Sequence, residues 1–538
     1  MHLIQQQNRR QWLRLIGLGA SAGFLPPSAW SQPRLTGNPF TLGVASGSPT
    51  ADSLVLWTRL HGAGFSEPGP VTVRWELAHD DQFSRPVQSG QAVASAELAH
   101  SVHVEVTGLA PDRWYFYRFM VGGFVSPVGR TRTFPLPDAE VSQLRLGYAS
   151  CQKWEDGYFT AWRHMRQENL DAVLFLGDYI YEYPARNSKL RTPQGGWVLT
   201  LEDYRARYAL YKGDADLQAM HAACLWLMTW DDHEVQNDYA GVQAGNSGFT
   251  DPAAPGQFLA RRAAAYQAYY EHMPIRASAL TQGLAGLTKT LTTDGEQAAE
   301  MRIYTRVPYG RLASLYLLDA RRYKDPQVCT QGGALGSSTV NPASCPAWHD
   351  PQRSLLGHAQ ERWLDDAFSK PQARESGWNV IGQQSLLGQR DFKVGPGQSL
   401  WNDGWDGYSA ARSRLTDSLR QHAVRNPVLL GGDIHENWVG HVKADYANPA
   451  SASVGVEFCG TSITSRSGGN AKLPERLAEN PHFIFADAQA KGYGVAEFTP
   501  GQLTTTLRGV DDVTRQDTRI ETLAQFVVQS GRPVIERV

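Results

Sequence analysis

Hydrophobic and polar residues alternate along the first part of the chain, from about residue 39 to residue 137. Three of the alternating segments span residues 53–58, 71–75 and 103–106, and turns rich in glycine and proline separate them. Alternation with a period of two is typical of strands with one buried face, and several short strands at this spacing indicate a β-sandwich. The pattern therefore predicts an all-β domain over residues 39–137.

The pattern changes after residue 138, where short apolar runs alternate with longer, mixed segments. The apolar runs predict buried strands, which lie in residues 146–151, 173–177, 224–230, 312–319, 378–384 and 427–435. The mixed segments predict helices in residues 157–168, 201–221, 261–272 and 360–368. Alternating helices and strands indicate a layered α/β domain over residues 138–510. A tail over residues 511–538 is predicted to be partly helical, around residues 520–528.

The chain length indicates how many domains to expect, and the charge balance argues against a nucleic-acid-binding protein. A chain of 538 residues is too long for one compact core, so two or more domains are expected. The 51 basic and 53 acidic residues nearly balance, and no basic patch that would bind nucleic acid is evident.

The N-terminal residues, 1–31, resemble a twin-arginine export signal. Arg9 and Arg10 precede an apolar stretch over residues 15–25, and small residues near Ser31 suit cleavage. No later run reaches the roughly 18 apolar residues of a membrane helix, so the mature chain is expected to lack a transmembrane segment and to be periplasmic or secreted. The twin-arginine machinery exports folded proteins, often with a cofactor already bound, which hints at a metal.

Five cysteines remain in a chain that is expected to reach an oxidising compartment. Cys329 and Cys345 bracket a loop rich in glycine, serine and proline, and we predict a disulfide between them. At least one of the other cysteines must be unpaired, which requires a separate reason.

Metal-capable side chains follow the predicted strands of the second domain. They are Cys151, Asp178 after Gly177, the run Asp231, Asp232 and His233, Gln383 after Gly382, and Asp433 and His435 after two glycines. If the strands are neighbours, their ends converge on one locus, where open α/β folds place their ligands. An extended chain at Asp433 to His435 would send both side chains to the same side while Ile434 packs away. The pattern predicts a metal site.

Several of these motifs resemble those of one superfamily. Gly177-Asp178-x-x-Tyr181, Asp232-His233-Glu234 and Gly432-Asp433-Ile434-His435 are similar to the metallophosphoesterase blocks, in the tyrosine version of the purple acid phosphatases. The chain resembles PhoD-like alkaline phosphatases and phosphodiesterases more closely, through Ala149-Ser150-Cys151, Trp230 to Glu234, Trp405-Asp406-Gly407-Tyr408 and the leader. The resemblance implies a four-layer metallophosphoesterase β-sandwich flanked by helices, an α+β or α/β fold. In the first domain, the turn at residues 108–111 precedes an aromatic strand, as in an immunoglobulin-like or fibronectin type III module, which this domain resembles.

The resemblance also implies metal ligands. Asp178 would bridge two ions, and Cys151, Tyr181 and His435 would complete a first site for iron(III). Cys151 would thus be the unpaired cysteine. The second site would use Asp178, Asp232, Asp433 and Gln383, with Gln384 as an alternative to Gln383. Such oxygen ligands favour one or two calcium ions, with manganese, magnesium or zinc as alternatives.

Other residues near these motifs are candidates for supporting or substrate-binding roles. His233 would hydrogen-bond the phosphate or protonate the leaving oxygen, unless the backbone satisfies it, and Glu234 would support the ligands. Asn237 and its neighbour Asp238 either line the site or cap a turn. Arg412 either binds phosphate oxygens or forms a surface salt bridge. Residues 319–323 either end at the site or form a loop anchored by ion pairs.

The expected function is that of a secreted, metal-dependent phosphate ester hydrolase, an alkaline phosphatase that cleaves monoesters and diesters. Two ions would supply a bridging hydroxide and neutralise the charge of the phosphate. Asp178, which would bridge the ions, and His233 are the expected catalytic residues. One alternative is a phosphodiesterase specific for teichoic acids or phospholipids. A second alternative is a non-enzymatic secreted binding protein. A monomer is expected.

Overall fold

The computed structural model describes residues 35–63, 65, 69–184, 190–246, 255–279, 301–448 and 450–538. Its strands are β1 Val44–Gly47, β2 Leu54–Arg59, β3 Val71–Ala78, β4 Pro86–Ala94, β5 Ser101–Val106, β6 Trp114–Val121, β7 Phe124–Val125, β8 Gly129–Arg132, β9 Leu144–Ala149, β10 Ala172–Phe175, β11 Leu225–Met228, β12 Thr305–Tyr309, β13 Ala313–Leu317, β14 Thr339–Val340, β15 Trp378–Gly382, β16 Leu400–Trp401, β17 Pro427–Gly431, β18 Asn437–Lys443, β19 Ser453–Cys459, β20 Phe483–Asp487, β21 Lys491–Phe498, β22 Gln502–Val510, β23 Ile520–Gln529 and β24 Ile535–Arg537. Its α-helices are α1 Thr160–Met165, α2 Leu201–Lys212, α3 Ala215–Ala223, α4 Phe258–His272, α5 His358–Ser369, α6 Pro371–Glu375, α7 Ser409–Gln421 and α8 Leu473–Glu479.

The chain divides into two compact units. The first unit consists of the described residues of Met1–Phe134, Tyr204–Leu227 and Ala263–Ile303. The second unit consists of those of Pro135–Asp203, Met228–Arg262 and Tyr304–Val538. The first unit thus includes two later segments besides the predicted N-terminal domain. The export signal predicted for residues 1–31 lies outside the described residues.

The first unit contains two sheets that enclose one hydrophobic core. One sheet has the strand order β4-β3-β6-β7, with β8 paired to β6. In the other sheet β2 pairs with β1 and β5, and β11 runs parallel to β1. Inward-facing residues such as Leu56, Val73 and Tyr117 fill the core between the sheets. The hydroxyl of Tyr115 bonds the backbone of Ala110, a tyrosine contact of the kind found in immunoglobulin-like sandwiches.

The second unit contains two large sheets with helices against them. One has the order β24-β23-β22-β21-β9-β10, in which β9 and β10 are parallel. The other has the order β12-β13-β15-β17-β19-β18-β20, in which β13, β15, β17 and β19 are parallel. Aromatic rings join the two sheets, for example those of Trp378 and Phe498, whose centroids are 5.8 Å apart. Helices α5 and α7 pack on the second sheet, and α1 contacts β21 and β22 of the first.

The prediction of a partly helical C-terminal tail is wrong. Residues Ile520–Gln529 form β23, which pairs antiparallel with β22 along its whole length. Ala524, Phe526 and Val528 are buried at every second position, which is the period of a strand with one face in the core. The tail is therefore part of a sheet of the second unit.

One further difference follows from local chemistry. The helix predicted over residues 201–221 is two helices, because the Asp214 side chain accepts hydrogen bonds from the first amides of α3 and starts a new helix there. The predicted disulfide is confirmed, since Cys329 and Cys345 are bonded with their Cα atoms 6.0 Å apart. Cys151, Cys224 and Cys459 are buried and take no part in this disulfide. Among the described residues, each helix is too short or too polar to cross a bilayer.

Candidate metal centre

The predicted metal-capable side chains lie at strand ends of the second unit. β9 and β10 run side by side in one sheet and end just before Cys151 and Asp178. The chain that enters Asp231 and Asp232 lies beside them, because Thr229 donates a hydrogen bond to the Phe175 carbonyl at the end of β10. β17 of the other sheet ends just before Asp433. The facing sheets therefore bring their carboxyl ends to one edge, as expected for α/β folds.

The backbone at this edge is unusual. Cys151, Asp178, Asp433 and His435 have left-handed conformations, with φ of 59°, 59°, 67° and 58°. A non-glycine residue in this region costs about 1 kcal/mol or more, and such residues cluster at functional sites. Gly177 is required before Asp178, because its φ is 110° and a Cβ there would lie 2.5 Å from that of Asp231.

The prediction of an extended chain at Asp433 to His435 is wrong. Both residues are left-handed, and the Ile434 amide donates to the Gly432 carbonyl across a tight turn. Their side chains consequently join different groups. His435 approaches Cys151, whereas Asp433 approaches Asp231. Ile434 packs against a separate apolar cluster, as predicted.

Four predicted ligands form a compact set, which we call the first ligand group: Cys151, Asp178, Tyr181 and His435. Ligand atoms of Cys151, Asp178 and His435 lie within 4.8 Å of one another. The Tyr181 hydroxyl donates to Asp178 Oδ2 over 2.9 Å and lies 3.2 Å from His435 Nε2. Ser465, which the sequence did not suggest, donates to the same hydroxyl over 2.7 Å. The group offers a thiol, a phenol, a carboxylate and an imidazole to one cation.

The electrostatics of the first ligand group suit a cation. Burial, reinforced by the charge of Asp178, raises the pKa of Cys151 and of Tyr181 well above their usual values. A highly charged ion would displace these protons. Burial, and then the charge of Lys491, lowers the pKa of His435 to about 3. His435 is therefore neutral, and because its Nδ1 donates to the Arg466 carbonyl over 2.8 Å, its Nε2 carries the lone pair that faces the group.

A second set of acidic residues adjoins the first. Three overlapping groups of possible ligands share Asp232, namely Asp178–Asp232–His233, Asp231–Asp232–Asp433 and Asp232–Asp238–Asp403. We call Asp231, Asp232, Asp403 and Asp433 the carboxylate cluster. The sequence predicted Asp232 and Asp433 as ligands, named Asp231 only among the metal-capable side chains at strand ends, and missed Asp403. Asp403 stands two residues before the Trp405 motif, and this nearness could have pointed to it in the sequence.

The arginine in the carboxylate cluster is Arg321, which the sequence placed only in a possible ion-pair loop. Its guanidinium forms buried ion pairs with Asp231 and Asp403. Its Nη2 also lies 3.6 Å from Asp232 Oδ1 and 3.8 Å from Asp433 Oδ1. Asp319, at the start of this loop, accepts hydrogen bonds from the Arg321 and Arg322 amides and so anchors the loop.

Negative charge nevertheless remains in excess. Burial, opposed by Arg321 and reinforced by Asp232, raises the pKa of Asp433 to about 6. Burial likewise raises the pKa of Asp231 well above its usual value, and Asp231 Oδ2 is buried without a hydrogen-bond partner. Carboxylates crowded in this way, one of them with an orphaned oxygen, fit a bound cation.

His233 is held by a glutamate that the sequence did not suggest. Its Nδ1 lies 2.7 Å from Oε2 of Glu182, whose side chain is completely buried. The other oxygen of Glu182 accepts from the Asn237 amide over 2.8 Å. Burial alone would lower the pKa of His233, but the charges of Asp178, Glu182 and Asp232 raise it well above its usual value. Glu182 thus fixes the ring with Nδ1 as a donor and favours the imidazolium.

The two glutamines occupy hydrogen-bonded positions. Oε1 of Gln383 accepts from Trp405 Nε1 over 2.9 Å and from the Ser385 amide over 3.1 Å. The Gln384 amide group bonds the backbone at Ala320, Trp230 and Leu318, and therefore links strand ends. A ligand role for Gln383 remains a prediction.

The remaining candidates have structural partners. Arg412 forms an ion pair with Asp406, as in the salt-bridge alternative, but both residues are buried, so the prediction of a surface position is wrong. The Asn237 side chain donates to the Asn246 carbonyl over 2.8 Å. Glu234 accepts from the backbone amides of Asp178, Tyr179 and Asp231, so it joins the two ligand-bearing loops.

Comparisons with known proteins show what this chain is similar to. Residues 146–507 match the PhoD-like phosphatase family, and residues 27–135 match the PhoD-like phosphatase N-terminal domain. Alkaline phosphatase D of Bacillus subtilis (strain 168) is 40% identical over 521 residues, which cover 94% of this chain and 84% of that protein. A solved structure described as "Structure of PhoD" is 40% identical and superposes with a TM-score of 0.84, covering 94% of this chain and 93% of that one. The resemblance predicted from the sequence is confirmed.

Proposed function

The chain belongs to the PhoD-like phosphatase family, a family of phosphoric ester hydrolases, and we propose that it cleaves phosphate esters at the candidate metal centre with bound cations. One observation carries the proposal. Asp178 belongs both to the first ligand group and to the group of Asp232 and His233, so one carboxylate can serve two neighbouring cations. A shared carboxylate between two cations is the arrangement of two-metal phosphate ester hydrolases.

The donor set suggests which ions bind. Thiolate, phenolate and carboxylate are anionic donors that suit iron(III), and we propose iron(III) in the first ligand group. Asp178, Asp232 and Asp433 supply only oxygens, which suit hard ions, and we propose one or two calcium ions there, with manganese, magnesium or zinc as alternatives. When bound, such ions neutralise the phosphate oxygens and supply an activated water.

His233 has the features of a general acid. Its Nδ1 is occupied by Glu182, so the proton that it can transfer is the one on Nε2. The surrounding carboxylates favour the imidazolium, which is the form that donates this proton to the leaving oxygen. Bound cations would offset part of that negative charge and bring the His233 pKa nearer to the working pH. Asp178 positions His233 as well, because Oδ1 of Asp178 accepts from the His233 amide over 3.4 Å.

We further propose the wider setting of the enzyme. The two facing sheets with helices on them support a metallophosphoesterase sandwich, and the Tyr115–Ala110 contact supports an immunoglobulin-like first domain. The arginine pair in residues 1–31 supports twin-arginine export and a periplasmic or secreted location, and we also propose that the protein is a monomer. The substrates would include both monoesters and diesters.

The test is to purify the full chain, measure its metals by mass spectrometry and assay phosphate ester cleavage. We expect iron and calcium, and release of p-nitrophenol from both p-nitrophenyl phosphate and bis-p-nitrophenyl phosphate. Removal of the metals should abolish both activities, and iron with calcium should restore them. A preparation that is fully active with zinc alone would contradict the proposed ions, and cleavage of only the diester would restrict the substrate class.

A further inference from the structure

We propose that Arg321 is a positioning residue that sets the net charge of the carboxylate cluster and thereby limits how tightly that cluster binds cations. The inference rests on the proposed function, in which the cluster holds a divalent ion. It concerns a residue that sequence reasoning placed only in a loop.

Arg321 treats the four carboxylates in two different ways. It forms close ion pairs with Asp231 and Asp403, which come from segments on either side of it in the chain. Its distances to Asp232 and Asp433, 3.6 Å and 3.8 Å, are beyond the usual hydrogen-bond range of about 2.7 to 3.2 Å. The first pair of carboxylates therefore clamps the guanidinium. Asp232 and Asp433 are close enough to interact with the charge of Arg321, and their oxygens keep lone pairs that can bind a cation.

The charges of the cluster support this division of roles. In ionised form the four aspartates carry four negative charges, and Arg321 and Lys324 oppose them, the latter through its buried ion pair with Asp403. These two cations offset only part of the negative charge, because Asp178 and Asp238 also lie beside Asp232, and the charge that remains favours a bound cation. Without Arg321 the cluster would carry one more negative charge, at a position buried from solvent where screening is weak. Arg321 thus keeps the affinity moderate and disfavours ions of higher charge.

The test is cation binding by the purified full chain, with calcium and the trivalent probe terbium, in the absence of any phosphate ester. Arg321→Met keeps much of the length of the side chain but removes its charge, and we expect calcium to bind at least about tenfold tighter, with a larger gain for terbium. Arg321→Lys retains the charge and should stay within about threefold of the parent. Asp403→Asn removes a negative charge, and it should weaken calcium binding by about tenfold.

Arg412→Met is the matched control, because Arg412 is also a buried arginine paired with an aspartate, Asp406. It should leave both cation affinities unchanged. Circular dichroism reports whether each variant is folded, and if Arg321→Met does not fold, Arg321→Gln removes the same charge and should also tighten calcium binding. Folded Arg321→Met protein with unchanged or weaker calcium binding would overturn the inference while leaving the proposed function intact. A parent protein that binds no divalent ion would overturn both.

Discussion

Replacing Glu182 with glutamine should weaken His233 as a general acid. Oε2 of Glu182 lies 2.7 Å from His233 Nδ1, and the pair is buried. His233 and the Asn237 amide use different oxygens of Glu182, and in glutamine one of these positions becomes an NH2 group, which is a donor and cannot accept. The substitution also removes the negative charge next to the imidazolium.

The size of the effect follows from that charge. An opposite charge within about 4 to 6 Å shifts a pKa by about 1 to 3, and the shift is upward for a histidine beside a carboxylate. Glu182→Gln should therefore lower the pKa of His233 by about that amount. A general acid works in its protonated form, so kcat falls as the pH rises through this pKa, and that falling limb should move to lower pH in the variant. At the optimum pH we expect kcat to drop about 10- to 100-fold.

The assay compares two leaving groups. Alkyl phosphates depend more on protonation of the leaving oxygen than p-nitrophenyl phosphate does, because an alkoxide is a poorer leaving group. Glu182→Gln should therefore lose more activity on glycerol phosphate, and its metal content should match that of the parent. Glu457→Gln is the control, since Glu457 is also buried but accepts from the backbone amides of Leu387 and Gly388. If Glu182→Gln retained the pH profile and leaving-group dependence of the parent, Glu182 would not act through His233.

Other predictions concern stability and the first ligand group. Phe526→Ala in β23 should cost about 3 to 5 kcal/mol of unfolding free energy, because Phe526 is completely buried, and denaturant unfolding measures this. A solvent-exposed tail would give a loss close to zero. Replacing both Cys329 and Cys345 by serine should lower the unfolding free energy by about 2 to 4 kcal/mol with little change in kcat, as thermal melting and turnover would report. An unchanged Tm would refute a stabilising role for this bridge. Cys151→Ser should lower the affinity of the first ligand group for iron, which the visible absorption of the purified protein follows, and full iron content in this variant would rule out Cys151 as a ligand.

Much of the site could be predicted because its signals are local. Apolar runs that end in glycine and a polar residue marked Asp178 and Asp433, and these do lie at strand ends. Glu182 was also within reach, because it directly follows Tyr181, and so was β23, because Phe526, Val527 and Val528 are residues that favour strands.

The rest of the site depends on contacts between distant segments. Arg321 and Asp403 are 82 positions apart, and Tyr181 and Ser465 are 284 apart. No periodicity links such pairs, since only the packing of the two sheets brings them together. The left-handed backbone at Asp433 and His435 was likewise hidden, because non-glycine residues seldom adopt it and the surrounding fold imposes it.

The most direct test of the central claim is Asp178→Asn, with metal content and turnover measured on the same sample. Asp178 is shared by the first ligand group and the group of Asp232 and His233, so the account predicts that the folded variant loses iron, binds calcium more weakly and has almost no phosphate ester hydrolase activity. A folded Asp178→Asn protein with parental metal content and turnover would contradict it.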